Sequence, residues 1–110
     1  MVKNRTQLKM IVRKLVNNLQ KKDVKVDRLV LFGSYASGKM RRDSDIDIAV
    51  ISSSFNQKNI IQRQEILGEA IYPIGETIEA IGYGLKEYQN PPDFSFLSEI
   101  IATGKMIYRG

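Results

Sequence analysis

Three short stretches of this chain carry residues whose types and spacing can do chemistry. The first is Gly33-Ser34, which ends the apolar run Leu29-Val30-Leu31-Phe32. A glycine there lets another group approach the backbone closely. Free N–H groups at the positive end of the following turn make an anion site, and the Ser34 hydroxyl adds a donor. The second stretch is Asp45-Ile46-Asp47. Carboxylates at i and i+2 of one strand project from the same face. They repel unless a cation lies between them. Mg2+ suits them, because it prefers oxygen ligands and keeps waters and phosphate oxygens in its shell. The third is an acid farther along, since two-metal phosphoryl-transfer sites draw a further carboxylate from a neighbouring strand. Glu79, set between Ile78 and Ala80, is the preferred candidate, with Glu76 in reserve. Taken singly, each stretch has an ordinary reading: a strand-ending turn, a solvated pair of acids, and an edge-strand acid facing water.

These groups need a scaffold, and the apolar spacing supplies its outline. Leu8, Ile11, Val12, Leu15, Val16 and Leu19 line one face of a helix over roughly Thr6–Lys21, with Thr6 or Asn4 as its cap. Val24–Phe32 reads as a strand, and its continuous apolar end marks it as central and buried on both faces. Tyr35–Gly38 is one helical turn and Lys39–Ser44 a basic loop. Asp45–Ile51 is a second strand, with Asp45, Asp47 and Ala49 on one face and Ile46, Ile48 and Val50 on the other. Gln57–Tyr72 is a helix through Ile60, Ile61, Leu67, Ala70 and Ile71, stopped by Pro73 and Gly75. Glu76–Tyr83 is a third strand. Phe94, Leu97, Ile100 and Ile101 mark a last helix that ends at Gly104, and Lys105–Tyr108 is a short extended tail. The order α-β-(short α)-β-α-β-α predicts one α/β domain over residues 1–110.

Composition limits the chemistry further. The 110 residues contain no Cys and no His. Disulfides, Cys/His zinc sites, thiol nucleophiles and histidine acid–base catalysis are therefore excluded. No apolar run approaches a membrane span, and the N-terminus lacks the apolar core of a secretion signal, so a cytoplasmic location is expected. The net charge of +5 is unevenly spread: residues 1–42 hold twelve Lys/Arg against two acids, and residues 43–110 hold five against ten. Such asymmetry suits a phosphate- or nucleic-acid-facing half, or simply a solvated basic helix.

Gly-Ser, then ten residues, then Asp-x-Asp, with a later acid, resembles the nucleotidyltransferase fold of the DNA polymerase beta superfamily. The flanks, Leu-Phe-Gly-Ser-Tyr-Ala-Ser-Gly and Ser-Asp-Ile-Asp-Ile-Ala-Val, look like those of the minimal nucleotidyltransferases of prokaryotes, and the resemblance runs over essentially the whole chain. It implies an α/β (α+β) fold, a small mixed sheet flanked by helices. It implies that Gly33 and Ser34 hold the β- and γ-phosphates of a nucleoside triphosphate, ATP foremost. Asp45 and Asp47 would ligate two Mg2+ ions, and Glu79 would take the third carboxylate position, where Asp is the more usual residue. Lys39, Arg41 and Arg42 would contact the triphosphate or an acidic partner, at least one of them being an ordinary loop charge.

Larger relatives add a helical domain that this chain lacks, so a partner or a second copy completes the site. For minimal members that partner is commonly a small helical HEPN protein. The nucleotidyltransferase then acts as antitoxin, and some members transfer AMP to a tyrosine of the toxin. Two other functions compete: a catalytically idle module that neutralises its partner by contact, and a nucleic-acid end modifier. The last ranks third, because no aromatic-interleaved basic strand is present.

Overall fold

The helical spacing of Leu8 through Leu19 builds α1 over Arg5–Gln20 in the computed structural model, which describes residues 3–110. Asn4, not Thr6, caps it: the Asn4 side chain accepts from the Gln7 N–H and the Gln7 side chain accepts from the Asn4 N–H, each at 2.8 Å. This reciprocal pairing satisfies two otherwise orphaned donors. Four strands follow: β1 (Arg28–Phe32), β2 (Ile46–Ser52), β3 (Ile78–Gly84) and β4 (Lys105–Arg109). They form one mixed sheet in the order β3-β2-β1-β4, with β1 antiparallel to β2 and β4, and β2 parallel to β3. Parallel neighbours need a crossover. Here it is α3 (Ile60–Ile71), which starts at a second reciprocal cap between Asn59 and Gln62.

Alternation along the strands sorts the side chains into two layers. Leu29, Leu31, Ile46, Ile48 and Val50 face α1 and α3 and form the main core with Leu15, Leu19 and Leu67. Val30, Ala49 and Ile51 face the other way, toward Ile100 of α5 (Phe96–Thr103) and Leu85 and Tyr88 around α4 (Leu85–Gln89). The short α2 (Ser34–Ser37) follows β1 directly. Among the described residues, no helix is long and apolar enough to cross a membrane.

Several boundaries and burials differ from expectation. The first strand begins at Arg28 rather than Val24. Val24 and Val26 are buried but lie outside it, because the Val24 N–H closes the end of α1 on the Leu19 carbonyl. Asp45 stands one residue before β2. The third strand starts at Ile78, so Glu76 precedes it. Ile60 and Ile61 are 73% and 69% exposed. The stripe of α3 that faces the protein begins one turn later, with Arg63, Leu67 and Ala70. Phe94 is fully exposed at a positive φ of 59° and precedes α5, which Ser95 caps by accepting from the Ser98 N–H. The tail is a true edge strand, and α4 is an additional helix directly after β3.

Candidate functional site

The carboxylates gather at one end of the sheet, on the face turned toward α4 and α5. Asp47 is paired with Glu79 across the parallel β2–β3 ladder and with Phe32 across β1–β2. Residues directly opposite in a ladder share a face. Ile46, Ile48 and Ile78 meanwhile point into the main core. The alternation that buries these aliphatic residues thus delivers the two acids to one spot.

Gly33 closes this spot from below. It ends β1 with φ 68° and ψ −148°, a conformation that L side chains rarely adopt. A Cβ at this position would collide with Asp47 Oδ2. The glycine thus lets the backbone that leads into α2 lie against the Asp47 carboxylate. The first N–H groups of any helix lack an intrahelical acceptor, and the turn that carries them follows Gly33 directly.

Electrostatics record the crowding. The Asp47 carboxyl is pushed up to about 6, first by burial, next by the facing Glu79 carboxylate, and least by Asp45. Charge repulsion of this kind is what a divalent cation relieves. Among the described residues, no three acidic side chains stand close enough to form a ready-made ligand shell. Mg2+ does not require one: it commonly takes one or two carboxylates and fills its shell with water and substrate phosphate oxygens. Asp47 and the facing Glu79 supply oxygen donors of the kind such an ion takes.

Glu79 and Glu76 separate clearly. Glu76 pairs with Lys3 at 2.8 Å, and the Lys3 N–H donates to the Tyr35 hydroxyl at 3.1 Å. Arg42 lines a small cavity of about 180 Å³ beside these groups, with Tyr35, Ile46 and Glu76. Lys39 and Arg41 are exposed and form no ion pair among the described residues. Their loop is held by the Arg41 N–H donating to Ser44 Oγ at 2.7 Å.

Two features escaped the sequence reading. The Phe96 ring meets Phe32 edge to face at 5.6 Å and is 53% exposed, so an aromatic wall stands beside Asp47. Nothing in the local sequence marks that pairing. Arg63 is a buried cation that donates to the carbonyls of Phe55 (2.7 Å) and Gly82 (3.2 Å) and pairs with Glu87 at 2.7 Å. It ties the segment after β2 to β3 and α4. Its position in line with Leu67 and Ala70 was the available signal for burial.

Residues 12–108 match the nucleotidyltransferase domain family, and the chain belongs to it. No curated protein matches the sequence. Solved structures share the fold, among them these two. One is a toxin–antitoxin with AMP-PNP, 23% identical, covering 89% of this chain and 73% of its own, with a TM-score of 0.60. The other is described as a nucleotidyltransferase from Sulfolobus solfataricus, 17% identical, covering 99% and 92% respectively, with a TM-score of 0.59.

Proposed function

We propose that this chain, as one domain over residues 1–110, is a cytoplasmic antitoxin that transfers AMP from ATP to a hydroxyl of a small helical HEPN-type toxin. The observation that carries this reading is the contact of Gly33 with Asp47, itself paired with Glu79, in a member of the nucleotidyltransferase domain family. Likeness to a toxin–antitoxin crystallised with AMP-PNP supports the partner and the nucleotide.

In the proposed reaction, the acceptor hydroxyl attacks the α-phosphorus in line and pyrophosphate leaves. The Gly33-Ser34 turn holds the β- and γ-phosphates through backbone N–H groups and the Ser34 hydroxyl. Asp45, Asp47 and Glu79 would hold two Mg2+ ions, which supply charge compensation at the attacking and leaving oxygens. Lys39, Arg41 and Arg42 extend positive charge along the triphosphate side. Positioning does most of the catalytic work, and no histidine is needed.

The test supplies α-labelled ATP, Mg2+ and the product of the adjacent gene. Label should appear on that partner and vanish with Asp45→Asn or Asp47→Asn. A partner left unlabelled by a folded wild-type protein that binds ATP would sink the transfer reading. One observation favours a second reading, neutralisation by contact alone: Glu79 is exposed and, among the described residues, no three acids already cluster. Under that reading, Asp45→Ala still neutralises the toxin.

A further inference from the structure

The basic charge of α1 is not used by the carboxylate site. Arg5, Lys9 and Arg13 recur at i, i+4 and i+8, one row along the helix. All three are exposed, and among the described residues none has an ionic partner. Like charges at this spacing oppose helix formation. Basic groups near a helix N-terminus also oppose its dipole, and the first turn of α1 carries no acid. The row therefore sits where local stability disfavours it.

Beside this row lies a groove of about 980 Å³ between α1 and β4. It exists because α1 leans toward α3 and the turn at Tyr72–Ile74, leaving its opposite flank open. Leu8, Val12, Met40 and Ile107 supply apolar surface within it, Lys105 adds a cation across from α1, Lys3 lines one end but is paired with Glu76, and among the described residues no Asp or Glu lines it. It opens on the α1 face of the sheet, whereas Asp47 and Glu79 lie on the other face.

We propose that this groove is a docking site for an acidic amphipathic helix of a protein partner. The apolar stripe of that helix lies on Leu8, Val12 and Ile107, and its acidic flanks meet Arg5, Lys9 and Arg13 on one side and Lys105 on the other. A helix fits better than an added strand. β4 is irregular where it pairs with Leu29 and Val30, and it carries Lys105 and Arg109; both features discourage edge pairing. A nucleic acid fits less well, because the apolar floor of Leu8, Val12 and Ile107 between the basic flanks has nothing to give phosphate.

The test titrates the isotope-labelled full chain with a synthetic peptide as long as α1, bearing a leucine stripe and glutamate flanks. The same peptide with lysine flanks and a single-stranded oligouridine RNA serve as comparisons. The acidic peptide should bind and perturb the amides of Leu8–Val16 and Lys105–Tyr108. Lys9→Glu/Arg13→Glu, both exposed changes, should weaken it about tenfold or more. Lys86→Glu, on α4 at the other face, should leave it unchanged. Equal binding of the lysine-flanked peptide, perturbations elsewhere, or no binding would overturn the proposal. So would RNA occupying the groove with the same charge-reversal sensitivity. Because the readout is binding at the far face, the outcome is independent of whether AMP is transferred.

Discussion

Under α1 and α3 the sheet is sealed: Leu15, Leu29, Ile48 and Val50 have no exposed surface. Across the same strands, Phe32, Ile81 and Tyr83 stay half-exposed beneath the short α4 and α5. The sealed face gathers most of the hydrophobic stabilisation. The thin face keeps two facing carboxylates within reach of water and ligands, where burying them unpaired would be costly. Division of labour between the faces lets a chain of this size hold like charges together without losing its core.

Substitutions on each face should separate stability from activity. Leu15→Ala strikes the sealed face and should cost about 2–5 kcal/mol, read as a lower urea midpoint with the activity per folded molecule retained. A midpoint shift no greater than that of Ile81→Ala would break the contrast. Gly33→Ala strikes the other side. It should cost about 1–3 kcal/mol in backbone strain and also displace Asp47, so that labelling of the partner falls far more than the folded fraction does. The smallest effect is electrostatic. The folded chain holds the Asp47 proton up to about pH 6, against an ordinary value of 3.8. Between those values the folded state binds more protons than the unfolded one, so metal-free stability falls as pH rises through this window. Asp47→Asn should remove that slope, and an identical slope in the variant would place the repulsion elsewhere.

Local pattern revealed much of this. The alternation Ile46–Val50 and Ile78-Glu79-Ala80 set Asp47 and Glu79 each opposite its aliphatic neighbours, because period-two burial is a local signal; that the two acids stand side by side came only from the β2–β3 pairing. The close approach of Asp47 Oδ2 to Gly33, where a Cβ would collide with it, is set by β1–β2 pairing and is invisible locally. Lys105–Arg109 lacks a clean alternation, so its place beside β1 depends on partners far away in sequence. Ile60 and Ile61 look like core by type, but they sit in the capped first turn of α3, before its buried stripe of Arg63, Leu67 and Ala70 begins. Arg63 looks like surface by type, yet carbonyls from two other segments receive it. Leu85–Gln89 follows two glycines and is too short to declare itself as a helix.

The pairing of Asp47 with Glu79 has a consequence for assembly errors. If β3 slid by one residue against β2, Glu79 would enter the aliphatic layer and Ile78 would face the carboxylates. Such a slip would bury a charge and expose an isoleucine at once. A misassembled chain would therefore be both unstable and inactive, and the forces that order the sheet also proofread the site.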